Sequence, residues 1–283
     1  MNTRFNSLQS FTTAVCGFVL LCLLAASCSV KEDRTPCPAY LKIYFADRES
    51  LSGKDVYVTG RTASETLFGE AVSVDDNDPY YLRAVHKDII RVGAAFGPSG
   101  ADFTGSSVTV PLGSQADSLW GFWDEVDCTG DEGVTEVELH KQFCTVHLDF
   151  NQPVSKMPEL SCEVIANTCG FSFMDYNPIS GQFNYVAEEF GGERVYSFRV
   201  FRQADNTMSV RLWEHDAGVS LKYNPVMRQI GTYPLGELIV KTGYSWAAPE
   251  LQDVYVKIDL VICQVTISVG GWDNGVTYPL IVL

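Results

Sequence analysis

Apolar and polar residues alternate with period two along most of the chain. "YLKIYF" (Tyr40 to Phe45), "DVYVTG" (Asp55 to Gly60), "YYLRAV" (Tyr80 to Val85), "SSVTV" (Ser106 to Val110) and "VTEVEL" (Val134 to Leu139) follow this pattern. So do "CTVHLDF" (Cys144 to Phe150), "RVYSFRVF" (Arg194 to Phe201), "TMSVRLW" (Thr207 to Trp213), "GVSLKY" (Gly218 to Tyr223) and "DVYVKIDL" (Asp253 to Leu260). Each reads as a half-buried strand, with one face toward a core and one toward water. No stretch of comparable length shows helical spacing. Val, Tyr, Phe, Thr and Ile dominate these runs, and clusters such as "DDNDP", "GPSG", "CTGDEG" and "GGWDNG" separate them as turns. The pattern predicts an all-β protein built as two β-sandwiches. The absence of a short fixed period argues against a solenoid or a propeller.

The front of the chain breaks this pattern. Ala14 to Ala26, "AVCGFVLLCLLAA", is almost wholly apolar and follows a segment whose one charge is Arg4. That is the arrangement of a secretory signal, and the run is shorter than the roughly 20 apolar residues a membrane-spanning helix needs. Ala25, Ala26 and Ser27 then lead into Cys28, which resembles a bacterial lipobox in which Cys28 is diacylated and becomes the mature N-terminus. An ordinary secretory signal with an incidental cysteine is the competing interpretation, since Ala25 stands where leucine is usual. Lys31, Glu32 and Asp33 follow closely and resemble the lysine-plus-acids signal that sends lipoproteins to the outer face of the outer membrane in Bacteroidota. A solvated tether accounts for the same charges.

Composition narrows what is tethered. Without residues 1–27 the chain keeps 19 basic against 35 acidic residues, a net charge of −16. Nucleic-acid binding is driven by Lys and Arg displacing phosphate counterions, so this balance argues against it. Anionic lipid heads are repelled as well, which leaves the acyl group as the membrane contact. The length suits two domains of moderate size. The acidic, glycine-containing stretch Asp127 to Gly133 precedes the boundary expected near His140. The expected organisation is a signal peptide over 1–27, a lipidated tether over 28–38, and β-sandwich domains over 39–139 and 140–283.

Candidate chemistry is sparse. Beyond Cys16, Cys22 and Cys28, six cysteines remain, and an even number in an exported chain invites disulfides. Cys162 and Cys169 are nearest in sequence and could clip a hairpin; burial as small apolar side chains is the alternative. His140, Cys144 and His147 suggest metal ligands, but on a regular strand 140 and 144 share a face while 147 points away, so three-way coordination needs a bulge. "DDNDP" lacks the spacing of a calcium loop. No G-x-S-x-G, H-E-x-x-H, phosphate-binding loop or dinucleotide fingerprint occurs. Paired carboxylates that meet only in space remain open to a sequence reading. No catalytic residue and no cofactor is expected.

Five stretches carry a resemblance: "CSVKEDRTPCP" followed by "YLKIYF", "LWGFWDEVDCTG", "LHKQFCTVHLDF", "YPLGELIVKTGYSW", and "DVYVKIDLVICQVTISVGGW". In order and spacing they resemble the FimB-type fimbrial subunits of Bacteroidota, the lipoprotein anchors of type V pili. The chain departs at Cys37-Pro38-Ala39, where the family often has Cys-Pro-Cys. The resemblance implies two transthyretin-like β-sandwich domains in tandem, no catalysis, and a role in fixing a fimbria to the outer membrane and limiting its length. It also implies fimbrillin-type shaft subunits as partners, joined by β-strand complementation.

Two segments are candidates for that exchange. One is the first strand, with Tyr40, Leu41, Ile43 and Phe45. The other is the uncharged "GVTYPLIVL", with Tyr278, Leu280 and Val282, which reads either as a final strand of its own domain or as a strand offered to a partner. In related shaft and tip subunits a protease cuts after an arginine and removes the first strand. Arg48 and Arg61 are the candidates here, and an anchor is expected to escape the cut. A tip or accessory adhesin is the nearest alternative. A different class also fits: a surface lipoprotein that binds glycans on exposed tryptophans, drawn from positions 120, 123, 213, 246 and 272. Trp120 and Trp123, three apart, would face opposite ways on a regular strand, which weakens a continuous platform.

Overall fold

The computed structural model describes residues 37–75, 78, 80–97, 103–150, 160–190, 195–215, 227–259, 262–271, 273 and 275–279. The signal, Cys28, Lys31, Glu32, Asp33, the expected strand at 218–223, Trp272, Leu280 and Val282 lie outside them. The chain is all-β, as its alternation predicts. In order run β1 (Ala39–Phe45), the single-turn helix α1 (Arg48–Leu51), β2 (Asp55–Arg61), β3 (Thr66–Ser73), β4 (Tyr81–Val85), β5 (Ile89–Phe96), β6 (Ser107–Thr109), β7 (Trp120–Asp127) and β8 (Glu132–Val137). There follow β9 (His140–Lys141), β10 (Phe143–Phe150), β11 (Leu160–Ser172), β12 (Asn177–Phe190), β13 (Val195–Phe201), β14 (Ser209–His215), β15 (Met227–Tyr233), the helix α2 (Leu235–Lys241), β16 (Val254–Asp259), β17 (Gln264–Val269) and β18 (Val276–Pro279).

The strands form a three-stranded sheet β4-β1-β8, a five-stranded sheet β3-β2-β5-β7-β9, and a ten-stranded sheet. The last follows the order β15-β14-β11-β12-β13-β10-β16-β17-β18, with β6 joined to β11. One wiring is used twice. In the first half β1 lies between antiparallel β4 and parallel β8, β2 lies between β3 and β5, and β5 pairs β7. In the second half β10 lies between antiparallel β13 and parallel β16, β11 lies between β12 and β14, and β14 pairs β15. The hairpin β17–β18 then extends the second half beyond β16.

Three apolar cores follow from this layout. The first packs Leu41, Ile43, Val56, Val58, Ile90 and Val92 between the two smaller sheets. The second fills the ten-stranded sheet with Val146, Leu148, Phe198, Leu212 and Val256, and α2 closes it with Leu235, Leu238 and Ile239. The third joins the halves through Ala95, Leu119, Phe143, Phe171, Phe173 and Phe201. Beside it, β6 straps the first half onto the second by pairing Val108 with Phe171 and Thr109 with Gly170. A Cβ on Gly170 would come within 2.4 Å of the Val108 carbonyl, so the strap needs glycine there. Residues Ala39–Leu283 cohere as one compact unit.

Three expectations meet their outcome here. A helix appears where none was read, because the two turns of α2 are too short to establish a period. The run Ile89–Phe96 forms a strand without showing alternation, because β5 is covered on both faces in its second half. Of the two readings of Cys162 and Cys169, a hairpin clip or separate thiols, the structure has separate thiols. Both lie on the single strand β11, seven positions apart and so about 23 Å along it, far beyond the reach of a disulfide. Cys162 is fully buried in the second core, and the Cys169 thiol donates to the Ile179 carbonyl across the hairpin.

The crossing between sheets is pinned by charge. The chain leaves β9 at Lys141 and enters β10 at Phe143. Lys141 Nζ and the Thr145 amide both donate to Asp253 Oδ1 at 2.7 Å. Burial alone would raise the Asp253 carboxyl, but the Lys141 ammonium and the Thr145 N–H overcome it and hold the group below the usual carboxylate range. A depressed carboxyl stabilises the fold above its unfolded value of about 3.9, and that contribution is lost as pH falls through the folded value. Asp253→Asn is expected to cost about 1–2 kcal/mol in urea unfolding at pH 7. The gap to wild type should narrow as pH falls below about 3.9; a gap of the same size at pH 7 and below the carboxylate range would refute the ionic account.

Candidate strand-exchange site

The first strand is the natural place to look, because its sequence alternates so strictly. Ala39, Leu41, Ile43 and Phe45 point into the first core, with Leu41 and Ile43 at 0 % exposure. Lys42 and Tyr44, on the outward face, are half-buried, and Tyr40 is exposed. β1 is the centre of its sheet: Leu41 faces Arg83 on β4 and Gly133 on β8, and Ile43 faces Tyr81 and Thr135. Gly133 keeps the wall of this slot flat, since a Cβ there would meet Cys128 Sγ at 2.3 Å.

Polar groups rim the slot. On the outer face Lys42 Nζ donates to Glu132 Oε2 at 2.9 Å and Lys87 Nζ to Asp131 Oδ1 at 2.9 Å. Tyr81 donates to Glu70, which also accepts from Arg83. Burial, reinforced by the Glu70 carboxylate, pushes the Tyr81 phenol up to about 12. The slot therefore presents Tyr81 as a protonated donor near neutral pH. What it offers is two strand edges and a row of apolar pockets.

The two candidate cleavage arginines are not equivalent. Arg48 stands in α1, directly after β1, and its guanidinium donates to the Asp75 and Asp78 carbonyls. A cut after Arg48 would release β1 alone, parting β4 from β8 and leaving the five-stranded sheet complete. Arg61 ends β2, where it pairs with Asp175. A cut there would also detach β2, whose Val56 and Val58 are wholly buried between β3 and β5.

The second candidate segment is seen in part. β18 pairs antiparallel with β17, Val265 facing Tyr278 and Ile267 facing Val276. Tyr278 is half-buried against the second core, whereas Val276 is exposed. The other sequence candidates do not converge. Cys144 is buried in the second core, its thiol pushed up to about 12 by burial, while His147 on the opposite face stacks on Tyr255 at 4.7 Å. Among the described residues no three His, Cys, Asp or Glu side chains gather to hold a metal. Trp120 packs edge-on against Phe143 at 5.2 Å, and Trp123 points elsewhere, under the Arg91 guanidinium at 5.2 Å. Trp213 donates to Glu163 at 3.3 Å and Trp246 is buried.

A polar network that sequence reasoning missed lies behind the crossing between the halves. Arg202 donates to Gln142 Oε1 through Nε at 3.0 Å and Nη2 at 2.9 Å, to the Trp246 carbonyl through Nη1, and to the Pro249 carbonyl through Nη2 at 3.2 Å. Gln142 in turn donates to the Tyr176 hydroxyl at 2.6 Å and the His140 carbonyl at 3.0 Å. Nothing in "VFRQADN" distinguishes Arg202 from an exposed strand-end arginine.

Solved structures share this fold. The chain has the all-β sandwich fold of a Bacteroides thetaiotaomicron protein named as a candidate polysaccharide-binding protein, at 11% identity and a TM-score of 0.55 over 85% of this chain and 98% of the other. A candidate adhesin of Bacteroides ovatus matches at 14% identity and a TM-score of 0.54, over 85% and 96% of the two chains. More particularly, the fold is also that of the fimbrial anchor protein Mfa2 of Porphyromonas gingivalis, at 12% identity and a TM-score of 0.53, over 83% and 98%. No protein-family model and no curated protein matches the sequence. No helix among the described residues is long and apolar enough to cross a membrane.

Proposed function

We propose that the chain is a non-enzymatic subunit of a type V fimbria, carried on the cell surface by a lipid on Cys28, and that it is the anchor that fixes the fimbria and limits its length. The observation that carries this reading is the seating of β1, an alternating strand held between β4 and β8 with its apolar side chains filling the first core. Such a strand can be vacated and replaced by backbone pairing from a neighbour, its pockets taking alternate side chains. The fold shared with an anchor protein supports it. In this reading residues 39–139 and 140–283 act as tandem domains, and a fimbrillin-type shaft subunit is the partner. Lys31, Glu32 and Asp33 direct export to the outer face of the outer membrane. Arg48, rather than Arg61, marks the cut that an anchor avoids and a shaft or tip subunit undergoes.

Intact-mass and N-terminal analysis of the protein from outer-membrane fractions of its host, with co-purifying proteins identified, tests this. The expected result is a chain that begins at acylated Cys28, keeps β1 and brings down a fimbrillin. A chain beginning at Glu49 would make it a shaft or tip subunit. An unacylated chain with no fimbrial partner would overturn the reading.

A further inference from the structure

We infer that the second half carries a binding cleft for a neutral saccharide, between the β11–β12 turn, the β13–β14 loop and the loop after α2. The cleft has a volume of about 690 Å³, and its wall includes Tyr176, Gln203, Asp205, Asn206, Tyr244 and Trp246. Among the described residues just two buried side-chain polar atoms lack a hydrogen-bond partner, Gln203 Oε1 and Trp246 Nε1, and both belong to this wall. Gln203 is 4 % exposed and Trp246 7 %. Buried polar groups are paired in all but a few instances, so two orphans in one wall point to a ligand that pairs them. Tyr176 adds a third departure: its φ of 52° is one of two non-glycine positive values among the described residues, and such values concentrate at functional sites.

The chemistry selects the ligand class. One orphan is an N–H donor and the other a carbonyl acceptor, which a hydroxyl group, both donor and acceptor, can match. Asp205 adds a carboxylate that hydrogen bonds from Thr207 keep ionised, a further acceptor for sugar hydroxyls. Three aromatic side chains supply apolar wall of the kind small-molecule sites use. The nearby cation does not call for an anion. Arg202, 6 % exposed, already donates to Gln142 Oε1 and to the Trp246 and Pro249 carbonyls, so its role is to hold the back wall. Gln203 and Trp246, which carry the orphan atoms, both line the cleft. Exposed Trp123, 6.4 Å from the Tyr176 ring, extends the apolar surface beyond the cleft. The cleft is separate from the β1 slot, so this inference stands or falls independently of strand exchange.

The test titrates the purified full-length chain with cellotriose, mannotriose and xylotriose, read by saturation-transfer NMR and tryptophan fluorescence. At least one trisaccharide should bind. Trp246→Phe, which keeps an aromatic ring and removes the N–H, should weaken it at least tenfold, about 1.4 kcal/mol, and Trp213→Phe should not. Asn206→Ala, on the exposed rim, should weaken binding too and serves if the Trp246 variant does not fold. No binding by any of the three sugars, or binding left intact by both cleft variants, would overturn the inference.

Discussion

A chain that begins at Glu49 should lose its first core and regain it when a peptide of residues 39–45 is supplied. Leu41 and Ile43 are wholly buried and Phe45 nearly so, and truncating any one such side chain to alanine costs about 2–5 kcal/mol. Removing all of them together also strips β4 and β8 of their shared partner, leaving two rows of unpaired backbone groups. Native proteins retain only about 5–15 kcal/mol of net stability, so the first half has no reserve to absorb this loss. Hydrogen exchange gives the readout: amides of Ile90, Val92 and Val126 should lose protection, those of Val146 and Leu148 in the second core should keep it, and the peptide should restore the former. A truncated chain that folds with all five amides protected and no peptide added would show that β1 is dispensable, and the exchange reading would fall with it.

The second large effect is expected at Arg202. Arg202→Met keeps much of the volume but leaves the Gln142 Oε1 and the Trp246 and Pro249 carbonyls without their donor. Each buried acceptor so abandoned costs about 1–3 kcal/mol, part of which is offset because the cation no longer has to be buried. A net loss of about 3 kcal/mol is expected in denaturant unfolding. Arg202→Lys should recover little of it, because one ammonium cannot reproduce a planar fork that reaches three acceptors. Gln142→Leu should cost less on its own, and the double variant should cost less than the sum of the two, since both delete the same bonds. Strict additivity would mean that the two side chains act separately. The network fastens the crossing at Gln142 to the loop after α2, so a wild-type-like Arg202→Lys would also remove the reason for a rigid back wall in the cleft.

How much of this was legible follows from particular residues. The strands at 40–45, 144–150 and 254–259 could be read because each buries one face more than the other, which writes itself as alternation. The strand β5, covered on both sides over Val92 to Ala95, could not, and neither could α2, whose seven residues hold too few turns to show a period. The first strand was legible as a strand: Leu41, Ile43 and Phe45 alternate with polar neighbours, and the structure places them together in the first core. The cleft was not. Trp246 was noted as one tryptophan among five, but Tyr176, Gln203 and Asp205 come from two other loops and meet it only in space.

The sequence by itself determined the class of structure, because period-two alternation, β-branched and aromatic residues and turn clusters are local properties that each segment carries alone. The order of the strands was decided only by the tertiary structure. The same wiring runs through both halves, β1 between β4 and β8 and β10 between β13 and β16, although the two halves share no visible repeat. Backbone hydrogen bonds do not discriminate among side chains, and any strand with the right alternation fits the same place in a sheet. Pairing is therefore selected by how whole faces pack, which no single segment records, and the polar network at Arg202 arises for the same reason: its partners at 142, 246 and 249 are brought within 3.2 Å only once the second half has folded.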